Sequence, residues 1–201
     1  GPPPVDATAP YTVPAAAPAL PVETPWSDYV IGCALTEIVS SLCAPGSAVL
    51  QLAAAAAPAL PGPVAGTCDL VTVRAEPPTA DAATVPPLPF ATGEFGCVLV
   101  PDVLDAWPAN ARPALLAEAA RVSADLLVVA GPFDSPVARS AGDAAQEMHR
   151  ATHGAPHPTV AMHRELGLPD TDATRELLLE LTGCEPMPLP VGSLRTWTLF
   201  E

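Results

Sequence analysis

The stretch FGCVLVPDVLDAWPANARPALLAEAARVSADLLVVA, residues 95–130, decides the fold. It begins with the apolar run 95–100 and ends with the apolar run 125–130, and runs this short and uniformly apolar are typical of buried parallel strands. Residues 108–122 between them predict an amphipathic helix. The apolar face of this helix consists of Leu115, Leu116, Ala119 and Val122. The stretch therefore predicts strand, helix and strand in succession, which is the unit of an α/β fold.

The same pattern extends towards both ends of the chain. Residues 47–52 and 68–74 read as two further buried strands, and residues 172–182 read as a late helix. Residues 26–42 predict the first helix, with an apolar face made of Tyr29, Val30, Cys33, Ile38 and Leu42. This alternation predicts a mostly parallel sheet with helices on both faces.

The end of the chain offers two more strands, over residues 185–189 and 194–201. Only residues 190–193 separate them, which is too short for a parallel crossover and sufficient for an antiparallel hairpin. We therefore expect a Rossmann-like, seven-stranded sheet that ends in an antiparallel hairpin.

Charge and length narrow the possible functions. The 201 residues suit one domain, and the formal net charge of −14, with eight Lys plus Arg in all, argues against binding to a phosphate backbone or to an anionic membrane surface. The apolar stretches are broken by proline before they reach the length of a membrane span. We expect a cytoplasmic protein that binds no nucleic acid and inserts into no membrane.

The first 25 residues of the chain differ in composition from the rest. Residues 1–25 are rich in Pro and Ala, which predicts an extended, largely disordered or surface-draped arm ahead of a domain over residues 26–201. Gly1 and Pro2 resemble the scar of a cleaved tag, which would make the chain a piece of a longer protein.

The five cysteines form no Cys-x-x-Cys pair, so we expect buried free thiols.

A distinctive motif occupies the middle of the chain: LPFATGEFGCVLVPDVLDAWP, residues 88–108, followed by Arg112, Glu118 and Arg121 in a Glu-x-x-Arg-Val helix. This motif resembles class I S-adenosylmethionine-dependent methyltransferases of the small-molecule type. The similarity extends over about residues 26–201 and implies the family's fold, with S-adenosylmethionine as the cofactor if one is bound.

The family's first motif, Val-Leu-Asp-Leu-Gly-x-Gly-x-Gly, falls on residues 49–57, VLQLAAAAA. Ala53, Ala55 and Ala57 occupy the three glycine positions, and Gln51 occupies the acidic one. Glycine suits this turn because Cβ disfavours its backbone conformations and because the cofactor approaches the main chain closely. The resemblance thus implies a cofactor loop that has lost its glycines and its acid.

Other positions match the family's cofactor and substrate contacts. Glu76 stands where an acid accepts the ribose hydroxyls, although an exposed turn residue before Pro-Pro fits it equally. Asp81 and Ala82 resemble the pair that contacts the adenine amine. Asp102 and Asp105 follow the fourth strand, where the family places groups that face substrate or cofactor; Asp102 is our candidate there for accepting a substrate proton.

The polar segment 132–169 contains the four histidines. Its stretch around His163 resembles the E-H-x-x-x-G-L-P run of a methyltransferase-like group associated with glycan synthesis, which makes His163 a candidate general base. The alternative is a hydrogen-bonded histidine that anchors this segment. His149, His153 and His157 have metal-like spacing, but Gly154 and Pro156 interrupt a helix there, so we expect a polar surface or lid and no metal.

Two functions follow from these observations. In the first, the domain is a methyltransferase-like pseudoenzyme that serves as a scaffold or interaction module, with a protein partner or fused domain. In the second, it is an active S-adenosylmethionine-dependent methyltransferase acting on a small molecule or glycan. Lost glycines favour the first, because each alanine forced into a left-handed conformation costs about 1–2 kcal/mol.

Overall fold

The structure is a computed structural model that describes residues 11–12, 26–54, 68–78 and 85–191. Its strands are β1 (Tyr11–Thr12), β2 (Ala48–Ala53), β3 (Asp69–Ala75), β4 (Phe95–Pro101) and β5 (Ser123–Ala130). Its helices are α1 (Trp26–Leu42), α2 (Arg112–Val122), α3 (Pro136–His153), α4 (Pro158–Leu166) and α5 (Thr171–Thr182). The described part of the chain is an α/β fold, as the sequence predicts.

Four of the strands form a parallel sheet in the order β3-β2-β4-β5. Val49 of β2 lies between Leu70 of β3 and Cys97 of β4 in register. The two residues of β1, which belong to the predicted arm, pair antiparallel with the end of β3. Strand β3 lies on one side of β2, and β4 lies on the other side. The order in which the chain adds strands to the sheet therefore reverses between β2 and β4, although all these strands are parallel.

The two faces of the sheet carry separate apolar clusters. Leu50 and Val98 point into the larger cluster, and their neighbours Val49 and Cys97 point into the smaller one on the opposite face. Because successive side chains of a strand alternate between faces, a strand covered on both sides is apolar along most of its length. This tendency explains the apolar runs of β2 and β4, in which Gln51 of β2 is a polar exception.

Helix α1 covers the smaller cluster, although not with the predicted face. Leu35 and Val39 are buried there, and Ile31 and Cys43 pack against the same cluster. Leu42, by contrast, is 66% exposed, and Cys33 is also exposed. The predicted bounds of the helix are confirmed, and its predicted face is wrong at Cys33 and Leu42, because the four-residue repeat from residue 31 to residue 43 decides which side packs.

Helices α2 and α5 cover the larger cluster. The predicted apolar face of α2 is confirmed, and all its members are buried: Leu115, Leu116, Ala119 and Val122. Helix α5 contributes the half-buried Leu177, Leu178 and Leu181 to the same side. The sheet therefore has helices on both faces, as expected.

An ion pair attaches the segment before β4 to helix α2. Glu118 accepts a hydrogen bond from the backbone N–H of Leu88 at 2.7 Å, and Arg121 donates to the carbonyl oxygens of Leu88 and Phe90. The two side chains also bind each other at 2.7 Å. The bond from Arg121 is the main reason that the pKa of Glu118 lies below its ordinary value. The Leu-Pro-Phe and Glu-x-x-Arg elements of the resemblance thus contact one another.

Residues 132–169 contain two helices that the sequence analysis did not predict. Helix α3 begins after Ser135, whose Oγ accepts from the N–H of Ala138, and ends at Gly154 in the left-handed region. Only Ala141, Ala145 and Gln146 of α3 are buried. The sequence nevertheless carries signals for this helix: Val137, Ala141, Ala145 and Met148 recur at helical spacing, and capping residues stand at both ends.

The predicted seven-stranded sheet with a terminal hairpin is not what the described residues show. Residues 185–189 are not in a strand, so that prediction is wrong. Three prolines, Pro186, Pro188 and Pro190, remove alternate backbone donors from this segment, which disfavours strand pairing. The other predicted strand, 194–201, lies outside the described residues.

The cysteines test a further expectation. None of the five is in a disulfide, and Cys68 and Cys97 are buried, where desolvation raises the pKa of each. Cys33 and Cys184 are exposed, so the expectation of burial is wrong for these two.

None of the helices in the described ranges has both the length and the apolar character required to cross a bilayer.

The Glu118–Arg121 pair predicts an acid-sensitive contribution to stability. Because the fold lowers the pKa of Glu118 below 4.5, the contribution is complete above that pH and is lost as the pH falls through the folded-state pKa. At pH 7 we expect Glu118→Gln to lower the free energy of unfolding by about 1–2 kcal/mol. Urea titrations at pH 7 and near pH 3 measure the difference between wild type and variant.

The exposed Glu180 provides the matched control, Glu180→Gln, which should change stability little at either pH. An unchanged difference between wild type and Glu118→Gln at the two pH values would contradict the assignment.

Candidate functional site

The candidate site lies at the carboxyl ends of the parallel strands. Strand β2 ends at Ala53 and strand β4 ends at Pro101, and these neighbouring strands flank the position where the strand order reverses. In open α/β sheets, ligands bind in the crevice at such a position. The residues that follow β2 and β4 are therefore the first to consider.

Asp102 follows β4 in an unusual backbone conformation. Its φ is 47°, and among the described residues it is the only non-glycine residue with a positive φ. Its N–H donates to the carbonyl of Ala130 at 2.9 Å, which joins the ends of β4 and β5. A Cβ on Gly131 would lie 3.2 Å from Asp102 Oδ1, so glycine allows this close approach. Strained backbone of this kind is frequent at functional sites.

Three residues after Asp102, a carboxylate binds the histidine that the sequence analysis selected. His163 Nε2, on α4, lies 2.9 Å from Asp105 Oδ2, and the two side chains are 18% and 9% exposed. The contact joins residues 58 positions apart. This hydrogen bond fits the alternative interpretation, in which His163 anchors its segment. The two side chains also have the geometry of a carboxylate–imidazole pair.

A buried arginine completes this cluster. Arg112 donates to the carbonyl oxygens of Trp107 at 3.0 Å and of Leu166 at 3.2 Å, and to that of Gly167. Burial lowers the pKa of Arg112, and the negative charge of Asp105 opposes that shift. The arginine thus links the loop after β4 to the end of α4 and compensates the buried carboxylate. The end of a helix favours such a cation, because its carbonyl groups carry partial negative charge.

The cluster can support proton transfer. When the ionised Asp105 accepts a hydrogen bond from His163 Nε2–H, the neutral imidazole keeps its lone pair on Nδ1. A histidine orientated by a carboxylate in this way is the usual form of a general base. His163 and Asp102 are the residues that the sequence predicts for this role. The sequence does not identify Asp105 as the partner of His163, because no local pattern links the loop to α4.

The residues expected to bind the cofactor are only partly described. Ala53 is buried at the end of β2, and Gln51 two residues earlier is 1% exposed. Glu76 is exposed directly after β3. Ala55, Ala57, Asp81 and Ala82 lie outside the described residues, so their predicted contacts stay predictions.

Two buried side-chain donors have no hydrogen-bond partner within the described residues, Trp107 Nε1 and Gln146 Nε2. Trp107 follows Asp105 by two residues and packs in the larger apolar cluster, whereas Gln146 lies on α3. A buried donor without a partner is costly, and a water or a ligand is the usual explanation.

Comparison of the chain with protein-family models, with curated proteins and with solved structures gave no match.

The buried carboxylate predicts unequal effects of two substitutions. Asp105→Asn leaves the buried guanidinium of Arg112 without its counter-charge, so we expect the free energy of unfolding to fall by about 2–4 kcal/mol. His163→Gln removes one hydrogen bond at a more exposed position and should cost about 0.5–1.5 kcal/mol. Urea denaturation followed by circular dichroism measures both, and a larger loss for His163→Gln would contradict this account of the cluster.

Proposed function

We propose that the chain is a methyltransferase-like domain that performs no methyl transfer and serves as a scaffold or interaction module of a larger protein or complex. The single observation that carries this proposal is the end of strand β2, where the family's cofactor loop begins. The parallel sheet supports the proposal only at the level of fold, and one fold supports many functions.

The end of β2 argues against binding of S-adenosylmethionine. Ala53 stands at the family's first glycine position, buried and with an ordinary negative φ, and Ala54 after it also lacks the left-handed conformation. The register of β2 continues to Ala53, opposite Arg74 of β3. The chain therefore extends the strand through the point where a glycine turn would begin, and it places a methyl group where the cofactor would approach the backbone.

The residue at the family's acidic position supports the same conclusion. Gln51 is 1% exposed and lies in the same strand. A neutral amide can be buried there at a smaller cost than a carboxylate. It supplies no negative charge to offset the cofactor's ammonium group, so the described residues at this strand end lack both features that the family uses.

The segment after α5 supports the interaction half of the proposal. Met187, Leu189 and Val191 are 75%, 54% and 45% exposed and alternate with prolines. Large apolar side chains exposed together are common where proteins contact partners. A protein with a net charge of −14 would favour a neutral or basic partner surface.

The second candidate is an active methyltransferase acting on a small molecule or glycan, and the Asp105–His163 pair favours it. In that case Nδ1 of His163 would accept a proton from the substrate's nucleophile, while Asp105 would hold the ring in position. The two candidates differ in whether the domain binds S-adenosylmethionine at all.

Calorimetric titration with S-adenosylmethionine and S-adenosylhomocysteine separates the candidates. We expect no binding of either ligand at millimolar concentration. Thermal unfolding of the same sample shows that the protein is folded, and bound ligand at 100 times its dissociation constant would stabilise the fold by about 2.7 kcal/mol. Micromolar binding would overturn the pseudoenzyme proposal. A loss of methyl transfer in His163→Gln, with binding retained, would then establish the second candidate.

The exposed segment generates a separate prediction about stability. Replacing Met187, Leu189 and Val191 together by serine should change the free energy of unfolding by less than about 0.5 kcal/mol, because surface side chains contribute little to folding. The control Leu178→Ser changes a half-buried leucine that packs on the larger cluster and should cost about 1–3 kcal/mol. A triple variant as unstable as the control would show that the segment serves the core instead of a partner.

A further inference from the structure

The last two turns of α3 carry two imidazoles on one face. His149 and His153 are both within the helix, which ends at Gly154 after them. Their ring centroids are 4.3 Å apart and their planes are inclined by 30°. The helix break predicted at Gly154, directly after His153, is confirmed. It separates His157 from the helix and leaves His149 and His153 together within it, and residues four apart on a helix are neighbours.

A hydrogen bond orientates the first of these rings for metal binding. His149 Nδ1 lies 3.0 Å from the carbonyl oxygen of Ala155. Because a carbonyl only accepts, Nδ1 must carry the proton, and the neutral ring therefore keeps its lone pair on Nε2. Histidines that bind metals usually donate their other ring N–H to such an acceptor, which fixes both tautomer and orientation.

The second ring is available for the same purpose. His153 is exposed, and in the described part of the chain its observed contact is the stacking on His149. The ring therefore needs to break no hydrogen bond before it turns a nitrogen towards an ion held by its neighbour.

A third imidazole lies close by but has a different role. The ring of His157 is 5.0 Å from that of His149. Its Nδ1 accepts from the N–H of Val160 at the start of α4, so its neutral form carries the proton on Nε2. Within the described residues, no group of three or more His, Cys, Asp or Glu side chains is arranged to hold a metal ion. The available ligands are thus two.

We propose that His149 and His153 chelate a divalent first-row transition-metal ion, with water in its remaining positions. Imidazole nitrogen suits Zn²⁺, Ni²⁺ and Cu²⁺, and two histidines four residues apart on a helix are a recurrent ligand pair for such ions. The net charge of −14 raises the local concentration of cations around the protein. The ion would join the last two turns of α3 next to the loop that leads to α4.

Calorimetric titration of the full chain with Ni²⁺ tests the proposal. All samples carry Cys33→Ser and Cys184→Ser, which remove the exposed thiols as competing ligands. We expect one ion per chain, and His153→Ala should weaken binding by roughly tenfold or more, since the loss of even a supporting contact costs about that much. His153 is exposed, so this variant should remain folded, and circular dichroism verifies that it does.

A second variant tests the number of ligands. His157→Asn keeps a side chain that caps a helix well and removes the third imidazole, so we expect the dissociation constant for Ni²⁺ to remain within about twofold. The absence of Ni²⁺ binding, or equal binding by wild type and His153→Ala, would overturn the proposal. Loss of binding in His157→Asn would overturn the two-histidine assignment.

Discussion

Arg112 is the buried cation on which the carboxyl edge of the sheet depends. Its guanidinium donates to carbonyl oxygens of two separate segments, one in the loop after β4 and two at the end of α4. A buried guanidinium requires both hydrogen bonds and an opposite charge, and Asp105 supplies that charge. Because Asp105 also binds His163, the same charge balance positions the candidate general base.

The α3–α4 region is attached to the sheet in a different way from the other helices. Helices α1, α2 and α5 pack apolar side chains on the two clusters, and the side chains in those clusters include none from α3 or α4. Among the described residues, polar contacts link α4 to the loop after β4 and to the start of α2: the His163–Asp105 bond, and the bonds from Arg112 to the carbonyl oxygens of Leu166 and Gly167. Polar contacts are directional, so the geometry of the candidate site depends on few interactions and is sensitive to single substitutions.

The contacts of the resemblance motif divide between fold and chemistry. Glu118 and Arg121 bind the backbone around Leu88, so this part of the motif has a structural function that any protein of the fold could keep. The two positions at the end of β2 that the resemblance assigns to the cofactor hold the buried Gln51 and Ala53. Contacts that stabilise a fold and contacts that bind a ligand are separate sets, so one fold supports many functions. This separation is the basis of the proposed scaffold role.

The sequence alone determined the parallel strands, the bounds of α1 and the buried face of α2, because these follow from local hydrophobic periodicity and from breaks at proline and glycine. It also identified His163 as a polar residue of interest. Only the tertiary structure decided that Asp105 is its partner, that Leu35 and not Leu42 faces the sheet, and that His149 and His153 share a helix face. Contacts between residues far apart in the chain depend on how the sheet and helices pack, which no local pattern in the sequence records.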